Sequence, residues 1–414
     1  MNPVASKAHL SSLSEGYAAA LAAFAPIAQN ENVPPFEALG RVLADDLLCI
    51  RPLPPYSNSS MDGYGVREAD AGKTLPIDRT VFAGDDAARY VLPEGKVCKV
   101  MTGGPIPAGV EAVVPFEDAK PKGDRVGLPK KIKSGRYIRP EGEEAQRGER
   151  LLKAGEVLTP AALAVIASQG LGEIAVKRRL KAAIVATGSE VVEPGQPAKA
   201  YQVHNSNAAA IYGILKSLGA EATYLGTLPD RPEAIRKAIE GFGHYDLVVT
   251  SGGVSVGEAD FTDRLLREAG LKVAVQSMAL KPGKNVLIGT LNQTAVISLP
   301  GNPQTAMVLM TFLGATLIAK AQGRSAFYPA TVTARVKNEV LLKPDRAHVV
   351  LGHLQEGYFE AIDDYRYASG MLTPLSRANA FAVVAQGAKR LKKNELIRVA
   401  LPLNFSGDEN FYAR

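Results

Sequence analysis

The stretch LVVTSGGVSVGEADFTDRLL, residues 247–266, passes from an unbroken apolar run through a glycine-rich loop into spacing of three and four between apolar residues. A short apolar run bounded by glycine reads as a buried strand, and the spacing after it as a helix. The loop offers flexible backbone N–H groups at Ser251, Gly252, Gly253, Ser255 and Gly257 that can converge on an oxyanion at the start of the helix. Glycines there also suit a plain tight turn. Glu258 and Asp260 favour the anion reading, because carboxylates beside a bound phosphate require a divalent cation between them, and magnesium is held in this way.

The same alternation extends in both directions. Upstream lie the strand LKAAIVA (180–186), the helix NAAAIYGILKSLG (207–219), the strand EATYLGTL (221–228) and the helix RPEAIRKAIEGF (231–242). Downstream come strands KVAVQSMAL (272–280) and TAVISL (294–299), then a helix from Pro303 to about Ala321. Strands alternating with helices specify an α/β domain with a doubly wound sheet. Ligands of such sheets bind outside the carboxyl ends of the strands, so the loops after Ala186, Thr250 and Leu299 are expected to meet.

Those loops carry the residues with chemistry. ATGSEVVEPG brings Glu190 to the sheet edge, as a metal ligand or a solvated turn residue, and Asp230 in LGTLPDRPEAI suits either a metal or the cap of the next helix. In ALKPGKN, Lys281 and Lys284 flank the stiff turn Pro282–Gly283; two ammonium groups projected this way suit a tetrahedral oxyanion, though a solubilised surface turn has the same composition. LPGNP places Pro300, Gly301, Asn302 and Pro303 directly before a helix N-terminus, where a phosphate could dock.

Outside this core, residues 14–28 read as a helix with Tyr17, Leu21 and Phe24 on its apolar side, and ALGRVLADDL from Ala38 as a second helical segment. From Arg51 to about Arg139 short apolar runs between Pro and Gly turns read as a β module, containing SNSSMDGYGVR with Asp62 and VMTGGPIPAG with Thr102. LTPAALAVIASQG returns to helix, with Thr159 as N-cap, Pro160 at the first position and Gly170 as stop. After Arg324 the chain is β-patterned again. The resulting division is a helical platform (1–47 and 142–179), an inserted β module (48–141), the α/β domain (180–325) and a C-terminal β domain (326–414).

Composition sets outer bounds. A chain of 414 residues, 46% hydrophobic and 22% charged, describes a globular protein of several domains. Two cysteines, Cys49 and Cys98, exclude a disulfide framework and a cysteine-based zinc site, and the five histidines show no metal-binding spacing. No uninterrupted apolar run of about 18 residues is present and the opening segment has no leader pattern, so a cytoplasmic protein without membrane association is expected. The net charge of +6 is dispersed and no tryptophan is present, which favours small anionic ligands over nucleic acid.

Taken as a set, NSSMDGYGVR, VMTGGPIPAG, ATGSE, SGGVSVGEADFT, LKPGK, LPGNP and SGMLTPLSRANAF closely resemble the molybdopterin molybdenumtransferase family, which includes the E domain of gephyrin. The resemblance spans nearly the whole chain, in order and spacing. It implies a C-terminal β-barrel and an elongated homodimer whose active cleft is approached by the β module of the other subunit. It implies an enzyme of molybdenum cofactor biosynthesis that takes adenylylated molybdopterin and molybdate, releases AMP with Mg2+, and leaves molybdenum on the two pterin sulfurs. The family's acidic cluster corresponds to Asp62, Glu190, Asp230 and Asp260, with Glu190 and Asp260 holding the metal and Thr102 beside Asp62. Lys281, Lys284, Arg346, Ser376 and Arg377 are the candidate molybdate ligands. Transient contact with the adenylyltransferase of the preceding step and with molybdoenzymes is also implied. Asn285 stands where the family has proline, and Arg231 where it has a second aspartate. The alternatives are that adenylyltransferase itself, or a non-catalytic cofactor carrier or scaffold.

Overall fold

Period-two burial on both faces builds the central sheet. In the computed structural model, which describes residues 10–86, 89–253 and 261–409, β1 (Lys181–Thr187) turns Ala182 and Ile184 to one face and Ala183 and Val185 to the other. Neighbouring β2 (Glu221–Leu228), β3 (Leu247–Ser251) and, further along, β7 (Thr294–Leu299) run parallel to it. Leu247 and Val249 of β3 join the first face and Val248 the second, as a strand buried on both sides requires. β4 (Lys272–Ser277) and β6 (Asn285–Leu291) complete the order β2–β1–β3–β7–β6–β4 as antiparallel additions. The segment NVLIGTL that forms β6, outside the strands expected from the sequence, is a short apolar run directly behind the KPGK turn.

Helices cover both faces, so the domain is doubly wound. One face takes α1 (Leu13–Ala23), α2 (Ser206–Ser217) and α5 (Pro303–Ala321); the other takes α3 (Pro232–Glu240) and α4 (Phe261–Glu268). α1 opens on a capping box in which Ser12 and Glu15 satisfy each other's backbone N–H groups. It buries Tyr17, Ala20 and Phe24, with Tyr17 edge-on to Phe312, while Leu21 is only partly covered. α5 is the one helix among the described residues long and apolar enough to cross a membrane, and 83% of its apolar window is buried, so it is a core helix here. A π turn at Met310–Gly314 interrupts it.

Arg178 and Asp246 lock the start of β1 to the start of β3: the guanidinium donates twice to the carboxylate at 2.9 Å, and Lys181 N–H donates to the same group. The expected helix from Ala38 is absent. Those residues form turns and bridges such as Val42 to Val157, because Leu43 and Val42 are buried as an irregular edge and Gly40 takes φ 71°. The expected helix at 158–170 forms as Pro160–Ser168, with Gly170 left-handed after it.

The C-terminal strands β8 (Tyr328–Val336), β9 (Ala347–Gln355), β10 (Tyr358–Ala361), β11 (Ala380–Val384) and β12 (Leu396–Gly407) pair in a closed ring, β9–β10–β8–β12–β11–β9. The two-residue strand β5 (Leu280–Lys281) adds to β9, tying the ring to the KPGK turn. Apart from the helix Pro160–Ser168, these elements belong to one compact unit, Met1–Asp45 with Ala154–Pro160 and Glu173–Arg414.

The second unit, Asp46–Lys153 with Ala161–Gly172, is a six-stranded sheet in which Gly63–Val66 lies between Ala112–Pro115 and Val97–Val100. Its core includes Tyr64, Val66, Val97 and Val114. Both cysteines are free and buried, and burial pushes the Cys98 thiol up to about 12.

Because Ile184 is fully buried in an interior strand of the sheet, Ile184→Ala is expected to cost about 3 kcal/mol of stability. Urea unfolding followed by fluorescence checks this, and a loss well under 1 kcal/mol would show that the sheet repacks around the void.

Candidate functional site

The carboxyl ends of β1, β3 and β7 do meet. Gly252 N–H donates to the Leu299 carbonyl at 3.0 Å, and a Cβ on Gly252, whose φ is 102°, would sit 2.5 Å from the Thr187 carbonyl oxygen. Glycine is required there by both the left-handed backbone and the close approach. Asn207, buried at the start of α2, donates from Nδ2 to Ser251 Oγ at 2.8 Å and to the Gly301 carbonyl at 3.0 Å, so one amide staples two loops. Beside them, Ser189 donates to Asp230 from its backbone N–H at 3.0 Å and from its hydroxyl at 3.4 Å. That joins the loop carrying the exposed Glu190 to the loop carrying Asp230. Asp230 does not cap α3: the cap position is Arg231, without a side-chain bond. Ser255, Gly257, Glu258 and Asp260 lie outside the described residues.

Adjacent to this edge is a cleft of about 960 Å³. Lys281, Pro282, Gly283 and Lys284 line it together with Pro300, Asn302 and Arg346. Gly283, at φ 127°, has no room for a side chain, since its Cβ would meet Leu309 at 2.8 Å. Two lysines and an arginine beside the N-terminus of α5 form a cationic pocket suited to an oxyanion. Arg346 also pairs with Asp345 at 3.1 Å. Ser376 and Arg377 are not among the lining residues: the Ser376 hydroxyl donates to the Thr373 carbonyl, and the Arg377 guanidinium grips both oxygens of Asp363.

In the second unit, antiparallel pairing of Gly63 with Val100 brings the residue before one strand against the residues after the other. Asp62 Oδ1 thereby accepts from Thr102 N–H and from the Thr102 hydroxyl, each at 2.7 Å. The backbone donor first and the hydroxyl second hold the Asp62 carboxyl below the usual carboxylate range. The arrangement is an exposed carboxylate kept ionised and aimed.

This geometry can be set beside known proteins. Residues 11–170 match the MoeA N-terminal region (domain I and II), residues 183–320 a probable molybdopterin binding domain, and residues 333–401 the MoeA C-terminal region (domain IV). The molybdopterin molybdenumtransferase of Haemophilus influenzae is 33% identical over 90% of this chain and 93% of its own length. That of Bacillus subtilis is 29% identical over 90% of each chain. The chain belongs to the molybdopterin molybdenumtransferase family. Its work therefore lies in molybdenum cofactor biosynthesis, as a transferase. The crystal structure of a Pyrococcus molybdopterin biosynthesis moeA protein superposes with a TM-score of 0.81 at 28% identity, covering 95% of this chain and 99% of that one. A MoeA-like multidomain α/β fold is thus the architecture of this family member.

Two residues at this cleft and the strand ends beside it lie outside the motifs picked out in the sequence. Asn207 carries no signal beyond its place at a helix start. Gln304 does: it is a polar residue at the head of the apolar helix PQTAMVLMTF, 1% exposed, lining the cleft, with Nε2 unpartnered among the described residues. His348, one of the five histidines without metal-binding spacing, is fully buried, with Nδ1 2.8 Å from the Tyr365 hydroxyl. Tyr365 itself lines the cleft at the end of a turn in which Asp363, Asp364 and Tyr365 have φ of 47°, 51° and 64°. Left-handed backbone at three successive non-glycine residues costs on the order of 1 kcal/mol each, so contacts around the turn must hold it.

Two outcomes follow from this geometry. Thr102→Val removes the hydroxyl donor but leaves the backbone one, so the Asp62 midpoint in a carboxyl carbon NMR titration should rise toward the usual value, and Asp62 should lose its charge at a higher pH than in the wild type. An unmoved midpoint would show the hydroxyl to be idle. Gln304→Leu deletes a buried donor whose unmade bond costs roughly 1–3 kcal/mol, so the urea midpoint should hold or rise while molybdopterin retention falls. A destabilised variant that still retains the pterin would make Gln304 a packing residue.

Proposed function

We propose that the chain inserts molybdenum from molybdate into adenylylated molybdopterin, with Mg2+-dependent release of AMP. The observation that carries this reading is the cleft: Lys281, Lys284 and Arg346 gather opposite the start of α5, beside the edge where the loops after β1 and β3 meet. Molybdate is a tetrahedral dianion, and this set of donors suits it. The pterin with its phosphates would lie along Ser251–Gly253 and Pro300–Asn302, the rigid turns at the strand ends.

For Mg2+ the test is the donor chemistry. Glu190 and Asp230 supply hard carboxylate oxygens on two loops already joined through Ser189, which fits an ion that takes one or two carboxylates plus substrate phosphates. Glu190 with Asp260 would hold the ion, and its charge would polarise the pyrophosphate link. Asp62, kept ionised by Thr102, would orient the oxygen that attacks that link. In this reading the protein is a homodimer, and the β module of a second subunit delivers Asp62 and Thr102 to the cleft. The ring β8–β12 is read as the C-terminal β-barrel, residues 1–47 and 142–179 as the platform, and residues 48–141 as the β module. The enzyme would act in the cytoplasm on small anions, with transient contacts to the adenylyltransferase and to molybdoenzymes, and without nucleic acid or membrane. Matches at 11–170 and 333–401, outside the core resembling the adenylyltransferase, weigh against that activity.

Purified protein incubated with adenylylated molybdopterin and Mg2+ should release AMP only when molybdate is added, and the product should reconstitute a molybdenum-free apoenzyme. Asp62→Ala and Asp260→Ala should each abolish both signals with unfolding midpoints unchanged. Tight pterin binding without AMP release in the wild type would mark a carrier instead.

A further inference from the structure

The KPGK turn is not held by its own residues alone. Lys281 lies in β5, paired in parallel with β9 so that it stands opposite His348. The imidazole of His348 is buried and bonded at both nitrogens: Nε2 is 2.7 Å from the Lys343 carbonyl oxygen and Nδ1 is 2.8 Å from the Tyr365 hydroxyl. A carbonyl can only accept, so Nε2 carries the hydrogen. Burial disfavours the imidazolium, which leaves Nδ1 as an acceptor for the Tyr365 hydroxyl.

That bond fixes the Tyr365 ring at the cleft wall. His348 packs on the ring edge-to-face at 5.6 Å and Tyr367 at 5.3 Å, while Tyr367 is itself pinned by accepting the Leu351 N–H at 2.8 Å. The left-handed turn that delivers Tyr365 is clamped on its outside. Asp363 is gripped by Arg377, and Asn338 donates to Asp364 at 2.6 Å and accepts from Ala361 N–H at 2.9 Å. The remaining side of the ring faces Lys281, whose Nζ is 5.7 Å from the ring centroid and whose carbonyl oxygen is 3.5 Å from the Tyr365 hydroxyl. An ammonium within about 6 Å of an aromatic face is attracted by the ring quadrupole.

We propose that Tyr365, oriented by His348, is a positioning residue that holds the Lys281 ammonium at the cleft and so sets the affinity of the site for its oxyanion. The Arg377–Asp363 pair then supports that turn, which accounts for an arginine expected at the ligand lying outside the lining. This assignment rests on the functional reading above for the identity of the oxyanion, but the contact between Tyr365 and Lys281 can be tested without it.

The test uses the whole protein, its lysines reductively methylated with 13C, and the Lys281 line assigned by its loss in Lys281→Arg. In the wild type that line should be displaced from the bulk lysine position by the ring current, and Tyr365→Leu should return it there, with Tyr365→Phe giving a smaller return. In parallel, Tyr365→Leu should raise the KM for molybdate about fivefold, the scale of a partly exposed cation–π contact, with the KM for the pterin and the saturating rate of AMP release unchanged. A Lys281 line unmoved by Tyr365→Leu overturns the proposal, as does an equal loss in all three kinetic constants. A displaced Lys281 line in a wild-type protein indifferent to molybdate overturns the oxyanion role and the functional reading together, and leaves the Tyr365–Lys281 contact standing.

Discussion

Gly252 touches Thr187 on one side and donates its N–H to Leu299 on the other. Three parallel strands can end together only if the backbone of the middle one turns sharply with no Cβ in the way, and that single condition brings the loops of β1, β3 and β7 to one edge. The strand-end loops of the α/β domain hang from it. Asn207 ties Ser251 to Gly301 across the same edge, Ser189 ties the Glu190 loop to Asp230, and α5 starts from the turn that Gly301 belongs to. The cleft is therefore built on rigid strand ends rather than on a free loop, which suits a task in which anions must be held at fixed separations.

The second organising feature is the join between the α/β domain and the C-terminal ring. β5 is only two residues long, yet it places the KPGK turn in register with β9, so the cleft takes Lys281 and Lys284 from one domain and Arg346 and Tyr365 from the other. Cations from separate domains converge without being neighbours in sequence, and their mutual repulsion is relieved by Asp345 beside Arg346 and by the Tyr365 ring beside Lys281. The Asp62–Thr102 pair follows a different logic in its own unit, where strand register alone aims the carboxylate.

The sheet was legible chiefly through Lys181–Thr187, Leu247–Ser251 and Thr294–Leu299, apolar runs buried on both faces, and the helices because their apolar residues recur at helical spacing between glycine or proline stops. Where the signal failed, a competing requirement had won. ALGRVLADDL has helix-forming residues, but Val42 and Leu43 are used to cover an irregular edge. NVLIGTL escaped because a strand that turns back antiparallel after a lysine-rich loop has no helix to announce it. In the site, the acidic and lysine-bearing loops could be picked out, since Gly, Pro and charge together leave few structural uses. Ser376 and Arg377 could be named but not placed, because only the fold reveals that Asp363 is in reach.

By itself the sequence determined the strand–helix alternation of the α/β core apart from Asn285–Leu291, the three loops at the strand ends and the family, because these depend on periodicity and on residues such as Gly252 that admit few alternatives. Tertiary structure alone decided which charges share a cleft, which are spent on one another, and that a buried histidine and a strained turn set a tyrosine beside Lys281. The reason is physical: those pairings join residues far apart in the chain, such as Lys281 and Tyr365, through strand register and side-chain direction, neither of which leaves a local mark in sequence.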